Sequence, residues 1–170
     1  PDGTYFFAFS GGNVYTAGSS VATQSSVASH SPAFTTGFGV SFRGQLFVYT
    51  NAASNALYTW APGSTSFTTR TANISVAKTS VIGHGNVMAL CTSGGAVYTS
   101  PDGLTWTAVA TPGANARRLV SLGGTLYAYQ SALANGLTYW FSIDNGANWT
   151  SGSITYAGTQ STTPTYFAAN

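Results

Sequence analysis

The chain has 170 residues, enough for one domain, and its content of 44% apolar and 14% aromatic residues excludes disorder for lack of hydrophobic side chains. Charged residues make up only 5%, with no Glu, so a catalytic pair of glutamates is excluded. The five cationic residues are too few for a nucleic-acid-binding patch, and no apolar run approaches the roughly 20 residues of a transmembrane helix, so we expect neither nucleic-acid binding nor membrane insertion.

Internal repeats organise the chain from end to end. An aromatic anchor recurs at intervals of 43, 40 and 42 residues, at Tyr15, Tyr58, Tyr98 and Trp140. A short apolar run precedes each anchor, at residues 5–9, 45–49, 87–91 and 125–129. These runs are rich in Val, Tyr, Phe and Thr and are separated by Gly, Asn and Ser, which predicts antiparallel hairpins. Residues 111–118 contain Pro and Gly and are predicted to be a connection.

A repeat of about 42 residues with three or four strands is typical of a propeller blade. Because blades pack face to face, both faces of their inner strands are buried, which explains why residues 87–90 are apolar without alternation. The sequence therefore predicts an all-β, β-propeller-like array of about four antiparallel blades, forming a single domain over residues 1–170 within a longer chain. A β-sandwich and a β-rich fibre domain are the alternatives.

Two turns after the third and fourth anchors share serine, aspartate, glycine and tryptophan in this order. They consist of Ser100, Asp102, Gly103 and Trp106, and of Ser142, Asp144, Gly146 and Trp149. The signature resembles the Asp-box, or bacterial neuraminidase repeat, of sialidases and of many non-enzymatic propellers. An Asp carboxylate can accept amide hydrogen bonds within its own turn, Gly adopts a positive φ, and the Trp is expected to pack over the hairpin. The resemblance implies a structural role, because the Asp-box lies away from the active centre in that family.

Weaker copies of the turn occur in the first two repeats. Residues 60–67 have Pro62 in place of the acid and Phe67 in place of the tryptophan, and residues 17–20 have no acid. A further partial copy, Pro1-Asp2-Gly3, lies at the start of the chain. All three acidic residues of the chain are therefore predicted to lie in turns of this kind. Glycosidases need two carboxyl groups at the scissile bond. We therefore predict that the chain is not an enzyme.

The histidines and the cysteine of the chain predict neither a catalytic centre nor a metal site. His30 and His84 are isolated and read as surface or turn residues, the latter within a Gly-His-Gly turn. The single cysteine, Cys91, is expected to be a buried small hydrophobe without a disulfide. The glycosylation sequons at Asn73 and Asn148 are interpreted as chance matches. We expect no metal and no cofactor.

Aromatic side chains outside the two turns are candidates for a glycan-binding platform, since sugars stack on exposed rings. The candidates are Trp60, Trp140, Tyr127, Tyr129 and Tyr139. Tyr15, Tyr58 and Tyr98 are instead predicted to lie in the blade core.

Ser, Thr and Gly account for 66 residues, and such an uncharged surface is similar in style to phage tail fibres, capsid fibres and bacterial surface proteins. The predicted function is a non-enzymatic structural or receptor-binding module of a virion or extracellular appendage, located on the virion or cell surface. Its expected partners are other subunits of the assembly and a host-surface glycan. The alternative is a fragment of a sialidase-like glycoside hydrolase. Residues 165–169 resemble the opening strand of a further unit, which predicts an incomplete propeller that self-associates or continues.

Overall fold

The computed structural model describes residues 6–10, 13–17, 24–29, 37–50, 53–62, 64, 66–130 and 136–155, with side chains from residue 37 onward. All regular structure in these ranges is β-strand. The strands are β1 (Phe6–Ser10), β2 (Asn13–Ala17), β3 (Gln24–Ser29), β4 (Gly37–Phe42), β5 (Gln45–Thr50), β6 (Ala56–Trp60), β7 (Thr68–Thr71), β8 (Lys78–His84), β9 (Val87–Thr92), β10 (Val97–Ser100), β11 (Thr107–Ala108), β12 (Ala116–Leu122), β13 (Thr125–Gln130), β14 (Gly136–Ser142) and β15 (Thr150–Thr155). Within the described ranges, no helix is long and apolar enough to cross a membrane.

The strands form four antiparallel sheets in which each strand pairs with its neighbours in the sequence. We call them blade 1 (β1–β3), blade 2 (β4–β7), blade 3 (β8–β11) and blade 4 (β12–β15). Their strand orders run consecutively from the first strand to the last, as in the meander of a propeller blade. The predicted all-β, propeller-like array of about four antiparallel blades is confirmed.

Tyr58, Tyr98 and Trp140 lie in β6, β10 and β14, which are the third strands of blades 2, 3 and 4. Tyr15 lies in β2, the middle strand of the three described in blade 1. The apolar runs form the strands that pair with them, which are β1, β5, β9 and β13. The prediction for residues 111–118 is partly wrong, because β12 begins at Ala116. The strands β4, β8 and β12 contain Gly, Ser, Lys and Arg, so no apolar run marks them.

The hydrophobic core lies between successive blades. Met88 and Leu90 of β9 pack in a cluster with blade 2, whereas Ala89 and Cys91 of the same strand pack in a cluster with blade 4. Both faces of β9 are therefore buried, as its apolar sequence predicts. A third cluster covers the other face of blade 2, with Leu46, Val48 and Trp60 buried and Tyr58 and Phe67 packed against them.

Several predictions can be compared with this arrangement. Tyr58 and Tyr98 are half-buried and pack against core clusters, and Cys91 is fully buried. His84 is not a surface or turn residue, because it ends β8 and is 4% exposed, and the turn itself lies at residues 85–86. The side chain of Tyr15, Asp2, His30 and the predicted strand at 165–169 lie outside the described residues.

Candidate functional site

The first Asp-box-like turn closes on the carboxylate of Asp102. Its Oδ1 atom accepts the amide N–H of Leu104 at 2.8 Å and that of Thr105 at 2.7 Å, together with the Ser100 hydroxyl at 3.0 Å. The Ser100 oxygen in turn accepts the N–H of Gly103 at 2.8 Å. Gly103 has a φ of 75°, which favours glycine. This is the hydrogen bonding that the sequence predicts for the turn.

The second turn repeats this arrangement with one more residue. Asp144 accepts the N–H of Asn148 at 2.9 Å and its side-chain amide at 2.8 Å, and the Ser142 hydroxyl donates to the carboxylate at 2.7 Å. Gly146 donates its N–H to Ser142 at 2.8 Å and has a φ of 89°. Ser142 is buried whereas Asp144 is exposed, so the serine fixes the turn to the end of β14.

These contacts lower the pKa of both carboxyl groups below the ordinary value for aspartate. Hydrogen bonds from the backbone and side chain of Asn148 and from Ser142 lower the pKa of Asp144 to about 2. Burial alone raises the pKa of Asp102, but the hydrogen bonds from Thr105, Leu104 and Ser100 together outweigh it and lower the pKa. Neither carboxyl group is therefore suited to donate a proton at neutral pH.

The tryptophan of the first turn packs across a blade boundary rather than only over its own hairpin. Trp106 is 5% exposed and meets Tyr49 of blade 2 edge-on, with ring centroids 5.9 Å apart. Tyr49 donates its hydroxyl to the Gly103 carbonyl oxygen at 2.7 Å, and the Trp106 indole N–H donates to the same oxygen at 3.2 Å. A Cβ at Gly103 would lie 2.6 Å from the Phe47 ring. The turn of blade 3 is thus fitted against blade 2.

The tryptophan of the second turn makes a comparable contact with the segment between blades 3 and 4. Trp149 donates its indole N–H to the Ala110 carbonyl oxygen at 2.8 Å and packs against the core cluster shared by these blades. A Cβ at Gly146 would meet Val109 at 2.9 Å. Both turns therefore join a blade to the structure that precedes it in the chain.

Asn73 is a structural residue that sequence reasoning missed. It lies between β7 and β8, and its side chain accepts the N–H of Trp106 at 2.7 Å and donates to the Trp106 carbonyl oxygen at 3.1 Å. Its own N–H donates to the Leu104 carbonyl oxygen at 3.0 Å. The partner Trp106 is 33 residues away in the chain, so the only local signal at Asn73 was a sequon with a different meaning.

The proposed glycan platform is divided by the fold. Trp60 is 3% exposed, with its indole N–H bonded to the Ser64 carbonyl oxygen, and Tyr129 is 6% exposed, so the rings of both are unavailable to a sugar. The half-buried Trp140 packs on Gly113 and on the cluster between blades 3 and 4. Tyr127 and Tyr139 are half-buried and adjacent, with ring centroids 6.4 Å apart. The five residues therefore form no single platform.

Three cationic side chains of blades 3 and 4 lie at the opposite ends of the strands from the two aspartate turns. We call the two sides of a blade at which its strands begin or end its two edges. Lys78 begins β8, and Arg117 and Arg118 lie at the start of β12. The aspartate turns follow the ends of β10 and β14, which run parallel to β8 and β12 in the same sheets. A strand of six or seven residues separates the two edges by about 20 Å. The charges of these blades are thus segregated.

Hydrogen bonds to backbone oxygens hold these cations in place. Lys78 donates to the carbonyl oxygens of Ser54 at 2.8 Å and Val76 at 3.1 Å, and burial lowers the pKa of its ammonium group. Arg118 donates across the blade boundary to the Thr79 carbonyl oxygen, and Arg117 donates to two carbonyl oxygens of its own segment.

Two further titratable side chains are buried. The His84 ring nitrogen Nδ1 lies 2.8 Å from the Ser121 hydroxyl of blade 4, and burial lowers the pKa of the imidazole. Burial also raises the pKa of the Cys91 thiol, although Thr79 and the nearby guanidinium groups of Arg117 and Arg118 oppose this. In the part of the chain that the structure describes, no group of three His, Cys, Asp or Glu side chains could hold a metal ion.

The four meander sheets, together with the cores that blades 2, 3 and 4 share, define the protein as a β-propeller. The chain belongs to the DUF6242 beta propeller domain family, whose model matches residues 19–168. A comparison with curated protein sequences finds no match.

Several solved structures share this fold. YCF48 bound to a D1 peptide has a TM-score of 0.63 at 14% identity, over 86% of this chain and 49% of its own. Hydrazine synthase from Kuenenia stuttgartiensis has a TM-score of 0.63 at 15% identity, over 91% and 47%. The N-terminal domain of Nup159 has a TM-score of 0.57 at 13% identity, over 91% and 42%. At these identities the likeness is one of fold alone, and the chain spans about half the length of the first two structures.

Proposed function

We propose that this chain is a non-catalytic structural and receptor-binding module, and that its two aspartate turns are Asp-boxes with a structural role. One observation carries the proposal: within the described residues, both Asp side chains are held by hydrogen bonds in their own turns. A general acid near neutral pH needs a raised pKa, whereas the pKa values of Asp102 and Asp144 are lowered.

The environment of the remaining reactive groups also favours a non-catalytic role. Lys78, His84 and Cys91 are 4%, 4% and 0% exposed, and each takes part in contacts between neighbouring strands or blades. A nucleophile or proton donor has to reach a bound substrate. These three side chains instead stabilise the positions of the first and second strands.

The surface composition supports a place in a virion or extracellular assembly. All four residues of the outermost strand of blade 2, Thr68–Thr71, are exposed, and they are three threonines and Arg70. On this surface, uncharged hydroxyl groups stand where a protein that stays monomeric in solution usually has charged side chains. A net charge of only +2 produces little repulsion between neighbouring subunits.

We propose that the receptor-binding surface is the edge that carries Arg117 and Arg118, and that its ligand is an acidic glycan of the host surface. Both arginines are half-buried, and the aspartates of these blades lie at the other edge. Arginine binds carboxylate groups through paired N–H donors. That YCF48 has been solved with a bound peptide supports binding, in general, as a use of this fold.

Binding to acidic and neutral glycans tests this role directly. Arg117→Gln should reduce binding to acidic glycans about tenfold or more, while Arg70→Gln, which removes an exposed guanidinium from the outer strand of blade 2, should leave it within about twofold. Equal binding of neutral glycans, or no effect of Arg117→Gln, would contradict the assignment.

A fluorogenic sialoside separates the proposed function from the alternative of a sialidase-like hydrolase fragment. We expect no hydrolysis above the buffer blank. Turnover that is lost in Asp102→Asn or Asp144→Asn, while the melting temperature is preserved, would make these carboxylates catalytic and refute the proposal.

A further inference from the structure

The second aspartate turn contains the dipeptide Asn145-Gly146. An asparagine followed by glycine loses its side-chain amide more readily than other asparagines, because glycine has no side chain to shield its backbone nitrogen. Asn145 is exposed and has a φ of 58°, a conformation that Asn adopts more readily than most other residues with a side chain. The structure around the dipeptide therefore decides whether it reacts.

The reaction, deamidation, joins two atoms of this dipeptide. The deprotonated nitrogen of Gly146 attacks the side-chain carbon Cγ of Asn145, and the bond from Cγ to Nδ2 breaks, which releases ammonia and leaves a cyclic imide. Water then opens the ring. Cleavage between the nitrogen and Cγ gives aspartate, whereas cleavage between the nitrogen and the main-chain carbonyl carbon gives isoaspartate, whose backbone is one methylene longer. The reaction consumes only water, so it needs no oxidant or reductant.

The folded turn withholds the attacking nitrogen. The Gly146 N–H donates to the Ser142 hydroxyl oxygen at 2.8 Å, and Gly146 is buried although Asn145 is exposed. Ser142 is itself 2% exposed and donates its hydroxyl to Asp144 at 2.7 Å, so the acceptor is fixed in place. A base in solution cannot reach the Gly146 proton while this hydrogen bond is present. The turn therefore has to open before the nitrogen can lose its proton.

Packing around Gly146 also keeps the nitrogen away from the Asn145 side chain. A Cβ at Gly146 would lie 2.9 Å from Val109 and 3.4 Å from the Trp149 ring, so the backbone has little room to rotate. A deprotonated amide attacks with the electron pair that the proton has left behind. In the folded turn this pair would point at Ser142 and not at Cγ of Asn145.

We propose that Asn145 is a deamidation site that Ser142 keeps unreactive in the folded protein, so that opening of the second aspartate turn becomes a permanent chemical change. Isoaspartate would insert a methylene between Ser142 and Asn148, the two residues whose side chains hold the Asp144 carboxylate. It would also place a second carboxylate next to Asp144. The turn could then no longer close in its original form. This inference does not depend on whether the module binds a glycan.

Mass spectrometry of the whole chain, held at mildly alkaline pH with and without urea, tests the proposal. Fragment masses distinguish Asn145 from the other Asn-Gly dipeptide of the chain, at residues 135–136, and chromatography separates aspartate from isoaspartate products. Asn145 should deamidate about tenfold or more slowly in the folded protein than in urea, since reaction then waits for local opening. Equal rates with and without urea, or no reaction at Asn145 in urea, would overturn the proposal.

Ser142→Ala removes the acceptor of the Gly146 N–H and should speed deamidation of Asn145 in the folded protein about tenfold. Ser151→Ala is the matched control, because Ser151 is an exposed serine in β15 of the same blade, and this variant should react at the wild-type rate. A folded Ser142→Ala variant that reacts no faster than Ser151→Ala would overturn the role of Ser142. If Ser142→Ala does not fold, the comparison of the wild type with and without urea still decides.

Asn145→Asp separates the added charge from the longer backbone. This variant carries the same new carboxylate as the deamidated protein but has no extra methylene. Wild-type protein that has been converted to isoaspartate at residue 145 should therefore melt at a lower temperature than Asn145→Asp. Equal melting temperatures would show that the turn accepts the longer backbone and would overturn the claim that the change prevents it from closing.

Discussion

Replacing Asn73 with Ala removes the side chain that joins the segment before blade 3 to the first aspartate turn. The wild-type side chain makes hydrogen bonds of 2.7 and 3.1 Å to the N–H and carbonyl oxygen of Trp106. Trp106 itself is 5% exposed, so both groups would lose their partners in a largely buried setting. We therefore expect Asn73→Ala to destabilise the fold.

The magnitude follows from the two hydrogen bonds. Each contributes about 1 kcal/mol net, and a buried group left without a partner costs about 1–3 kcal/mol. Because Asn73 is exposed, water can reach part of the site, and the lower half of this range applies. The expected loss is about 2 kcal/mol in the free energy of unfolding. For a chain of this size, it corresponds to a decrease of about 4–8 °C in melting temperature.

Urea denaturation and thermal melting would measure the effect, and Ser75→Ala provides the control. Ser75→Ala abolishes the same glycosylation sequon while leaving the Asn73 amide in place, so its stability should stay within about 0.5 kcal/mol of the wild type. Asn73→Asp keeps the acceptor for the Trp106 N–H and should lie between the two. If Asn73→Ala were as stable as Ser75→Ala, the assigned role of Asn73 would be wrong.

Three further outcomes concern titratable side chains. Asp144→Ala should lower the melting temperature at neutral pH. The difference between variant and wild type should disappear as the pH falls towards 2, because the ionised Asp144 stabilises the folded state above pH 3.8 and is protonated below its folded pKa of about 2. The free energy of unfolding should also decrease as the pH falls below about 6.5, because His84 is protonated more readily in the unfolded state than in the folded state, where burial lowers its pKa. His84→Gln should weaken this pH dependence. Cys91 should react with a thiol reagent only at the rate of unfolding, and fast labelling of the folded protein would contradict its burial.

The repeat could be predicted because it is local in the sequence. Each apolar run and its anchor form neighbouring strands, so spacing alone indicated the blades. The first strands were harder to predict: β4 contains two glycines, β8 begins with Lys78, and β12 has two adjacent arginines. Their burial comes from the neighbouring blades, and no local pattern encodes that contact.

The candidate site divides in the same way. The hydrogen bonds of Asp102 and Asp144 stay within five residues and could be predicted from residue type. Whether an aromatic ring is exposed depends on what packs against its blade, so Trp60 and Tyr129 were wrongly included in a platform. The cross-blade contact of Trp106 with Tyr49 joins residues far apart in the chain, which composition and spacing do not indicate.

The central structural claim is that an aspartate turn of one blade is fitted against the preceding blade, and a double-mutant cycle tests it most directly. Tyr49 of blade 2 and the Trp106 indole both donate to the Gly103 carbonyl oxygen. Tyr49→Phe and Trp106→Phe each leave one donor, while the double variant leaves this buried carbonyl with neither. The double variant should lose about 1 kcal/mol or more beyond the sum of the single losses in the free energy of unfolding, as measured by urea denaturation. Additivity within about 0.5 kcal/mol would contradict the claim.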